Sequence, residues 1–177
     1  MKTVENYLNG LHNVYKCIDE VKYNVDQIDY IVYTDGACDN LSPLKPGGCA
    51  YVIFKDGEIF RAKNYGCLHT SNNRMEMLAI VSAVTYTPEG SKLDIYTDSQ
   101  YCINVFSGNW KAKTNFDLID KFKKAASKLD RVVFHWVKGH SGDVNNEMVD
   151  DMAYSAYMEQ VEKYGLKVGK YARGGFK

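Results

Sequence analysis

The order of strand and helix patterns is the feature that most constrains how this chain folds. From Asp29 onward three strand patterns come first, in "DYIVYTDG" and in "GGCAYVIFKDGEIFRAKNYG", where Asp56-Gly57 is a strong hairpin signal. Then follow a helix ("NNRMEMLAIVSAVTYT"), a strand ("KLDIYTDS"), two helices ("SQYCINVFSG" and "NFDLIDKFKKAASKL"), a strand ("RVVFHWV") and a closing helix ("NNEMVDDMAYSAYMEQVEKY"). This order predicts an α/β domain built on a five-stranded mixed sheet that is flanked by helices.

The chain divides into one domain and two short extensions, as its 177 residues allow. We assign residues 29–160 to the domain. Residues 1–28 carry apolar side chains three to four positions apart and are predicted to form an N-terminal helical extension. Residues 161–177 are rich in glycine and basic residues, so we expect a flexible basic tail.

Charge and cysteine content narrow the class of protein. The formal net charge is zero, so any attraction to nucleic acid must be local. The sequence has no apolar run of about 18 residues and no signal-peptide pattern, and we expect a cytoplasmic protein without membrane contact. The five cysteines contain no CxxC pair, which argues against a disulfide framework or a zinc site and is typical of a reducing compartment.

Four carboxylates stand in separate short signatures along the chain. They are Asp35 in "YTDGAC", Glu76 in "SNNRMEMLA", Asp98 in "YTDSQY" and Asp150 in "GHSGDVNNEMVDDMA". A fold that brings them together needs a counter-charge, because neighbouring carboxylates repel and raise each other's pKa. Divalent cations that prefer hard oxygen ligands supply that charge, and Mg²⁺ is the commonest of them. The signatures therefore predict a metal-dependent site that handles phosphate.

Taken singly, most of these residues have a simpler interpretation. Asp35 before a glycine is an ordinary turn former, and Asp98 before Ser-Gln is an ordinary helix N-cap. His140 alone would be a surface histidine in a loop. Glu76 has no capping role to explain it. The metal hypothesis is favoured because it accounts for all of these residues together.

The same motifs, with "PGG" before the second strand and "NW" after the fourth, resemble those of the type 1 ribonucleases H over residues 29–160. The resemblance implies that the first three strands are antiparallel. It also implies cleavage of the RNA strand of RNA–DNA hybrids, with 5′-phosphate and 3′-hydroxyl ends, in the removal of RNA primers and stray hybrids. The implied cofactor is Mg²⁺, two ions per site in the substrate complex, with Mn²⁺ as the alternative metal.

Roles follow from the resemblance, position by position. Asp35 matches the carboxylate that bridges both metals, and Glu76, Asp98 and Asp150 match the other three ligands. His140 matches a loop histidine that helps in proton transfer or product release, and an imidazole can move a proton near neutral pH.

Nine further positions match family residues that contact the nucleic acid. They are Gly36, Ala37, Cys38, Ser71, Asn72, Asn73, Gln100, Trp110 and Asn146. Asn72 and Gln100 would sense RNA 2′-hydroxyls, and the backbone at 36–38 would approach the RNA sugar. Ser71, Asn73 and Trp110 would lie along the DNA strand. Two alternatives stay open: Asn72 as a helix N-cap, and Cys38 as a small packing residue.

The chain departs from the family in how it would grip its substrate. Many bacterial members carry a long basic insertion after "NWK", whereas here "NWKAKTNFDLID" leads directly into the next helix. The segment 108–128 still has six lysines against two aspartates, which serve either phosphate attraction or simply a solvated helix face. The basic C-terminal tail could also lie along phosphate.

The N-terminal extension is a poor candidate for nucleic-acid binding because its acidic residues outnumber its lysines. We expect it to pack on the domain or on a protein partner, and the protein to be a monomer.

Two rival hypotheses compete with that of an active nuclease. The first is a non-catalytic module that binds hybrids, but such a binder has no use for four mutually repelling carboxylates. The second is a nuclease segment of a reverse-transcriptase polyprotein, which we disfavour because the sequence begins with Met1 and contains no polymerase segment.

Overall fold

The computed structural model describes residues 13–16, 28–139 and 141–169. Its strands are β1 (Val14–Lys16), β2 (Tyr30–Cys38), β3 (Gly47–Lys55), β4 (Glu58–Cys67), β5 (Lys92–Thr97) and β6 (Arg131–Trp136). Its helices are α1 (Asn72–Tyr86), α2 (Gln100–Phe106), α3 (Phe116–Ala126) and α4 (Val144–Lys163). Among the described helices, none is long and apolar enough to span a membrane.

The strands form one mixed sheet in the order β1-β6-β5-β2-β3-β4. Strands β2, β3 and β4 are antiparallel neighbours, whereas β2, β5, β6 and β1 run parallel to one another. The predicted mixed sheet with three antiparallel strands is therefore confirmed, with one short strand added. The β3–β4 turn is formed by Asp56 and Gly57, both with positive φ, as the hairpin signal predicts.

Helices cover both faces of the sheet. Alternate residues of β3 point to opposite sides, so Tyr51 and Ile53 join the larger core while Ala50 and Val52 join the smaller one. Helices α1, α2 and α3 contribute to the larger core, which includes a stacked pair, Phe106 and Phe122. Helix α4 packs across β2, β3 and β4 on the other face.

The predicted N-terminal helix is wrong at the residues that the structure describes. Val14–Lys16 is strand β1, paired in parallel with β6, and Val14 is fully buried in the larger core. A sheet edge offers unpaired backbone groups, and pairing with them outweighs a weak helical periodicity. The neighbouring Asn13 donates two hydrogen bonds through Nδ2, to the carbonyls of Ala126 (3.0 Å) and Leu129 (2.9 Å). The rest of the predicted helix, residues 1–12 and 17–27, lies outside the described residues.

The C-terminal boundary lies later than predicted. Helix α4 continues to Lys163, three residues beyond the proposed domain end at 160, and Val161 is buried. Further on, the backbone N–H of Gly169 donates to the Tyr157 hydroxyl at 2.8 Å. The chain up to Gly169 therefore belongs to the folded domain, and residues 170–177 of the predicted tail lie outside the described residues.

Candidate active site

Three carboxylates from distant parts of the sequence meet beside the two central strands of the sheet, β2 and β5. Asp35, Glu76 and Asp98 each offer an oxygen, and these oxygens all lie within 4.8 Å of one another. Asp35 and Glu76 are almost fully buried, at 1% and 7% exposure, and Asp98 is half-buried. Such a group is able to hold a metal ion through carboxylate oxygens alone.

Strand register explains why two of these residues are neighbours. β2 and β5 are adjacent parallel strands with Tyr33 opposite Tyr96. Asp35 comes two residues after Tyr33, within β2, and Asp98 comes two residues after Tyr96, just past the end of β5, so the two carboxylates lie at the same level of adjoining strands. Asp98 stands just outside α2, whose N-cap is Ser99, which accepts from the Cys102 N–H at 3.1 Å. The alternative that Asp98 caps this helix is therefore wrong.

A glycine brings the third carboxylate into place. Gly36 lies directly against α1, where a Cβ atom would collide with the backbone of Met75 and Glu76. Only a residue without a side chain allows β2 and α1 to approach this closely. The close approach places Glu76, in the second turn of the helix, beside Asp35.

The negative charge of the cluster contributes to the raised pKa of two buried thiols, Cys102 and Cys49. Burial raises the pKa of Cys102 well above its usual range, and the negative charge of Glu76 raises it further. Burial is also the main cause of the raised pKa of Cys49, with Glu76 again contributing. These thiols stay protonated at neutral pH and do not act as soft ligands. The donor set is therefore hard oxygen, which suits Mg²⁺ or Mn²⁺.

Asp150 and His140 are the other two residues predicted to be catalytic. Asp150 is half-buried on α4, the helix that packs against β2. Among the described residues, the group of oxygens within 4.8 Å does not include Asp150. His140 lies outside the described residues.

The beginning of α1 is built around two of the predicted contact residues. Ser71 is the N-cap and its Oγ accepts from the Arg74 N–H at 3.1 Å. Asn72 is therefore not the cap; its Oδ1 accepts from the Cys38 N–H at 2.6 Å and fastens the end of β2 to α1. Asn73 is exposed in the same turn.

The end of β2 presents backbone rather than side chains. Ala37 and Cys38 are buried, and burial raises the pKa of the Cys38 thiol to about 12. The Cys38 side chain is thus a packing residue, as the alternative interpretation held.

The other three predicted contacts lie in different environments. Gln100 is exposed at the first position of α2. Trp110 is 49% exposed after that helix, with its backbone N–H bonded to the Asn104 carbonyl at 2.9 Å. Asn146 is only 4% exposed in the first turn of α4, so the structure places it in the interior.

Sequence reasoning missed an ion pair beside Ser71, between Arg74 and Asp117. The Arg74 guanidinium binds both oxygens of Asp117, at 2.8 and 3.0 Å, and also the Asn115 Oδ1 at 3.0 Å. This arginine holds the pKa of Asp117 down to about 2. No local pattern links residues 43 positions apart, so only the packing of α1 on α3 reveals the pair.

The sequence is similar to that of known proteins over most of its length. A family model described as RNase H matches residues 27–158. A ribonuclease H of Rhodopseudomonas palustris strain TIE-1 is 39% identical over 155 residues, covering 80% of this chain and 97% of that protein. A ribonuclease HI of Synechocystis is 31% identical over 154 residues, covering 79% and 94%.

A solved structure has the same fold. It is the N-terminal RNase H domain of a Mycobacterium tuberculosis protein, determined as a fusion with maltose binding protein. The TM-score is 0.68 with 17% sequence identity, and the match covers 77% of this chain and 99% of that one.

Proposed function

The chain belongs to the ribonuclease H family and is an endoribonuclease, and we propose that it hydrolyses the RNA strand of RNA–DNA hybrids by a two-metal-ion mechanism. The observation that carries the proposal is the meeting of Asp35, Glu76 and Asp98, whose oxygens lie within 4.8 Å of one another. The products would be 5′-phosphate and 3′-hydroxyl ends, and the cellular role would be the removal of RNA primers and hybrids. The protein would act as a monomer in the cytoplasm; its four described cysteines are free, in agreement with a reducing compartment.

The proposed cofactor is a pair of Mg²⁺ or Mn²⁺ ions, which the carboxylate oxygens of the cluster support. Asp35, Glu76 and Asp98 would hold them, with Asp150 of α4 as the fourth ligand. When bound, such ions lower the pKa of the attacking water and stabilise charge on the leaving oxygen. The protein contributes a rigid set of oxygens, because Asp35 lies within a paired strand and Glu76 within a helix that packs on it.

Neutral polar groups beside the carboxylates would distinguish RNA from DNA. The amide nitrogen of Asn72 and the exposed side chain of Gln100 can bond 2′-hydroxyls without reading bases. The backbone at 36–38 would approach the RNA sugar. Because Asn72 is already fixed through its Oδ1, its amide group is oriented before any substrate binds.

The DNA strand would lie along the start of α1 and past α2. The exposed N-terminal turn of α1, with Ser71 and Asn73, offers N–H groups and polar side chains to a phosphate. Trp110 supplies an exposed ring for the same strand. Asn146 would act by supporting the start of α4, given its burial. His140 would assist proton transfer or product release, a role that rests on the family resemblance alone.

The test compares cleavage of an RNA–DNA hybrid, a double-stranded RNA and a chimeric duplex, each with Mg²⁺ and with Mn²⁺. We expect cleavage of the RNA strand of the hybrid, and a loss of about 10³-fold or more in Asp35→Asn. The matched control is Asp56→Asn, an exposed hairpin position, which should cut like the wild type. Tight hybrid binding without cutting in either metal would favour a non-catalytic binding module instead.

A further inference from the structure

A cavity of about 250 Å³ lies between β1, β6 and α2. It is lined by Lys16, Gln100, Ile103, Asn104, Phe134 and Trp136. Two of these residues, Gln100 and Trp136, connect the cavity to Asp98 of the carboxylate cluster. Gln100 follows Asp98 by two positions, and Trp136 donates its Nε1–H to the Asp98 carbonyl at 3.3 Å.

The lysine of this cavity comes from the short strand at the edge of the sheet. Lys16 pairs with Phe134 in the register of β1 against β6. The strand is held firmly, since Val14 is fully buried and Asn13 is bonded to the backbone carbonyls of Ala126, the last residue of α3, and of Leu129 just after it. The position of Lys16 is therefore set by the folded domain.

A buried asparagine fixes where the ammonium group lies. Asn104 is 7% exposed, and its Oδ1 accepts from Lys16 Nζ at 2.9 Å and from Asn109 Nδ2 at 2.9 Å. Its own Nδ2 donates to the carbonyl of Gln100 at 2.7 Å. The Asn104 side chain thus bonds both Lys16 and the backbone of Gln100, the residue predicted to contact RNA. Holding a flexible lysine in advance lowers the entropy lost when it binds an anion.

The charge of Lys16 is not neutralised by the part of the chain that the structure describes. The described ion pairs within 4.0 Å involve other residues, and the bond of Lys16 is to a neutral amide oxygen. Trp136, which lines the same cavity, is 51% exposed. A fixed cation beside an exposed ring and a polar amide suits a sugar-phosphate backbone.

We propose that β1 adds a phosphate-binding subsite to the substrate groove, in which Lys16 pairs with a backbone phosphate of the hybrid next to the nucleotide that Gln100 contacts. Trp136 would pack against the sugar at this position. The inference rests on the proposed function, and it supplies an electrostatic contact in a chain that lacks the basic insertion after Trp110. Each phosphate contact changes the salt dependence of binding by about one unit of slope.

The experiment measures the affinity for a labelled RNA–DNA hybrid from about 50 to about 200 mM salt, in an Asp35→Asn background that binds without cutting. The variant Lys16→Gln keeps a donor for Asn104 and removes the charge. We expect it to lower the slope of log K against log salt by about one and to weaken binding about 3- to 10-fold at the lowest salt. Lys16→Arg should restore most of the affinity.

The matched control is Lys63→Gln, an exposed lysine on β4 at the opposite edge of the sheet. It should bind like the parent. In the active protein, Lys16→Gln should raise KM with little change in kcat. An unchanged salt slope in Lys16→Gln, or an equal loss in Lys63→Gln, would overturn the subsite while leaving the nuclease in place. Lysine-dependent binding with no cutting by the wild type would support the subsite and refute the nuclease, and absence of hybrid binding would refute both.

Discussion

Removing one carboxylate from the cluster should make the metal-free protein more stable. The oxygens of Asp35, Glu76 and Asp98 lie within 4.8 Å of one another. At that distance and an effective dielectric constant of about 20, each pair of like charges costs about 3 kcal/mol. Asp35 takes part in two such pairs. The gain is smaller than this sum for two reasons. Neighbouring carboxylates in the wild type relieve part of their repulsion by binding a proton, and an amide does not reproduce every hydrogen bond of a carboxylate. We expect Asp35→Asn to raise the free energy of unfolding by about 1–3 kcal/mol.

Urea unfolding followed by circular dichroism, in buffer with a chelator, measures this difference. For a chain of this size it corresponds to an increase in Tm of about 2–4 °C per kcal/mol. Excess Mg²⁺ should stabilise the wild type more than the variant and narrow the gap, because binding to the folded state adds to its stability. The control Asp56→Asn should change neither value. A variant less stable than the wild type without metal, at an unchanged m-value, would falsify the charge-repulsion argument.

Three further perturbations test how the site is supported. Gly36→Ala should cost about 1–3 kcal/mol or more and reduce cleavage, because its Cβ would push α1 away from β2; unfolding and cleavage assays on the same sample check this. Asp117→Asn should lower Tm at pH 7, and the difference from the wild type should vanish towards pH 2: a pKa lowered from 3.8 to about 2 by Arg74 stabilises only where the carboxylate is ionised. Asn13→Ala should cost about 1–3 kcal/mol in urea unfolding through the loss of two hydrogen bonds, and an unchanged stability would show that β1 is not anchored as described.

Local patterns predicted most of the elements because their signals are short-range. The Asp56-Gly57 turn, the period of the strands and the glycine after α2 each depend on a few neighbouring residues. The prediction failed at Val14–Lys16, where an apolar spacing of three to four positions indicated a helix. Val14–Lys16 instead pairs with the free edge of β6, and no property of residues 1–28 alone reveals that edge.

The site shows the same division between local and tertiary information. Asp35, Glu76 and Asp98 were predicted from their motifs, but their separation depends on the β2–β5 register and on the approach allowed by Gly36. Whether Asn72 caps α1 was open until the structure gave that role to Ser71 and placed Asn72 against β2.

The sequence by itself determined the order of strands and helices from β2 onward, the family, and the hard-oxygen character of the carboxylate cluster. These properties follow from side-chain chemistry and from spacing along the chain. Only the tertiary structure decided that a lysine before β2 stands beside Gln100, and that Asn104 holds it there. The physical reason is that β1 pairs with a strand that is distant in the sequence and becomes its neighbour only in the folded structure. Lys16 and Asn104 are 88 residues apart, and their hydrogen bond exists only once β1, β6 and α2 have packed together.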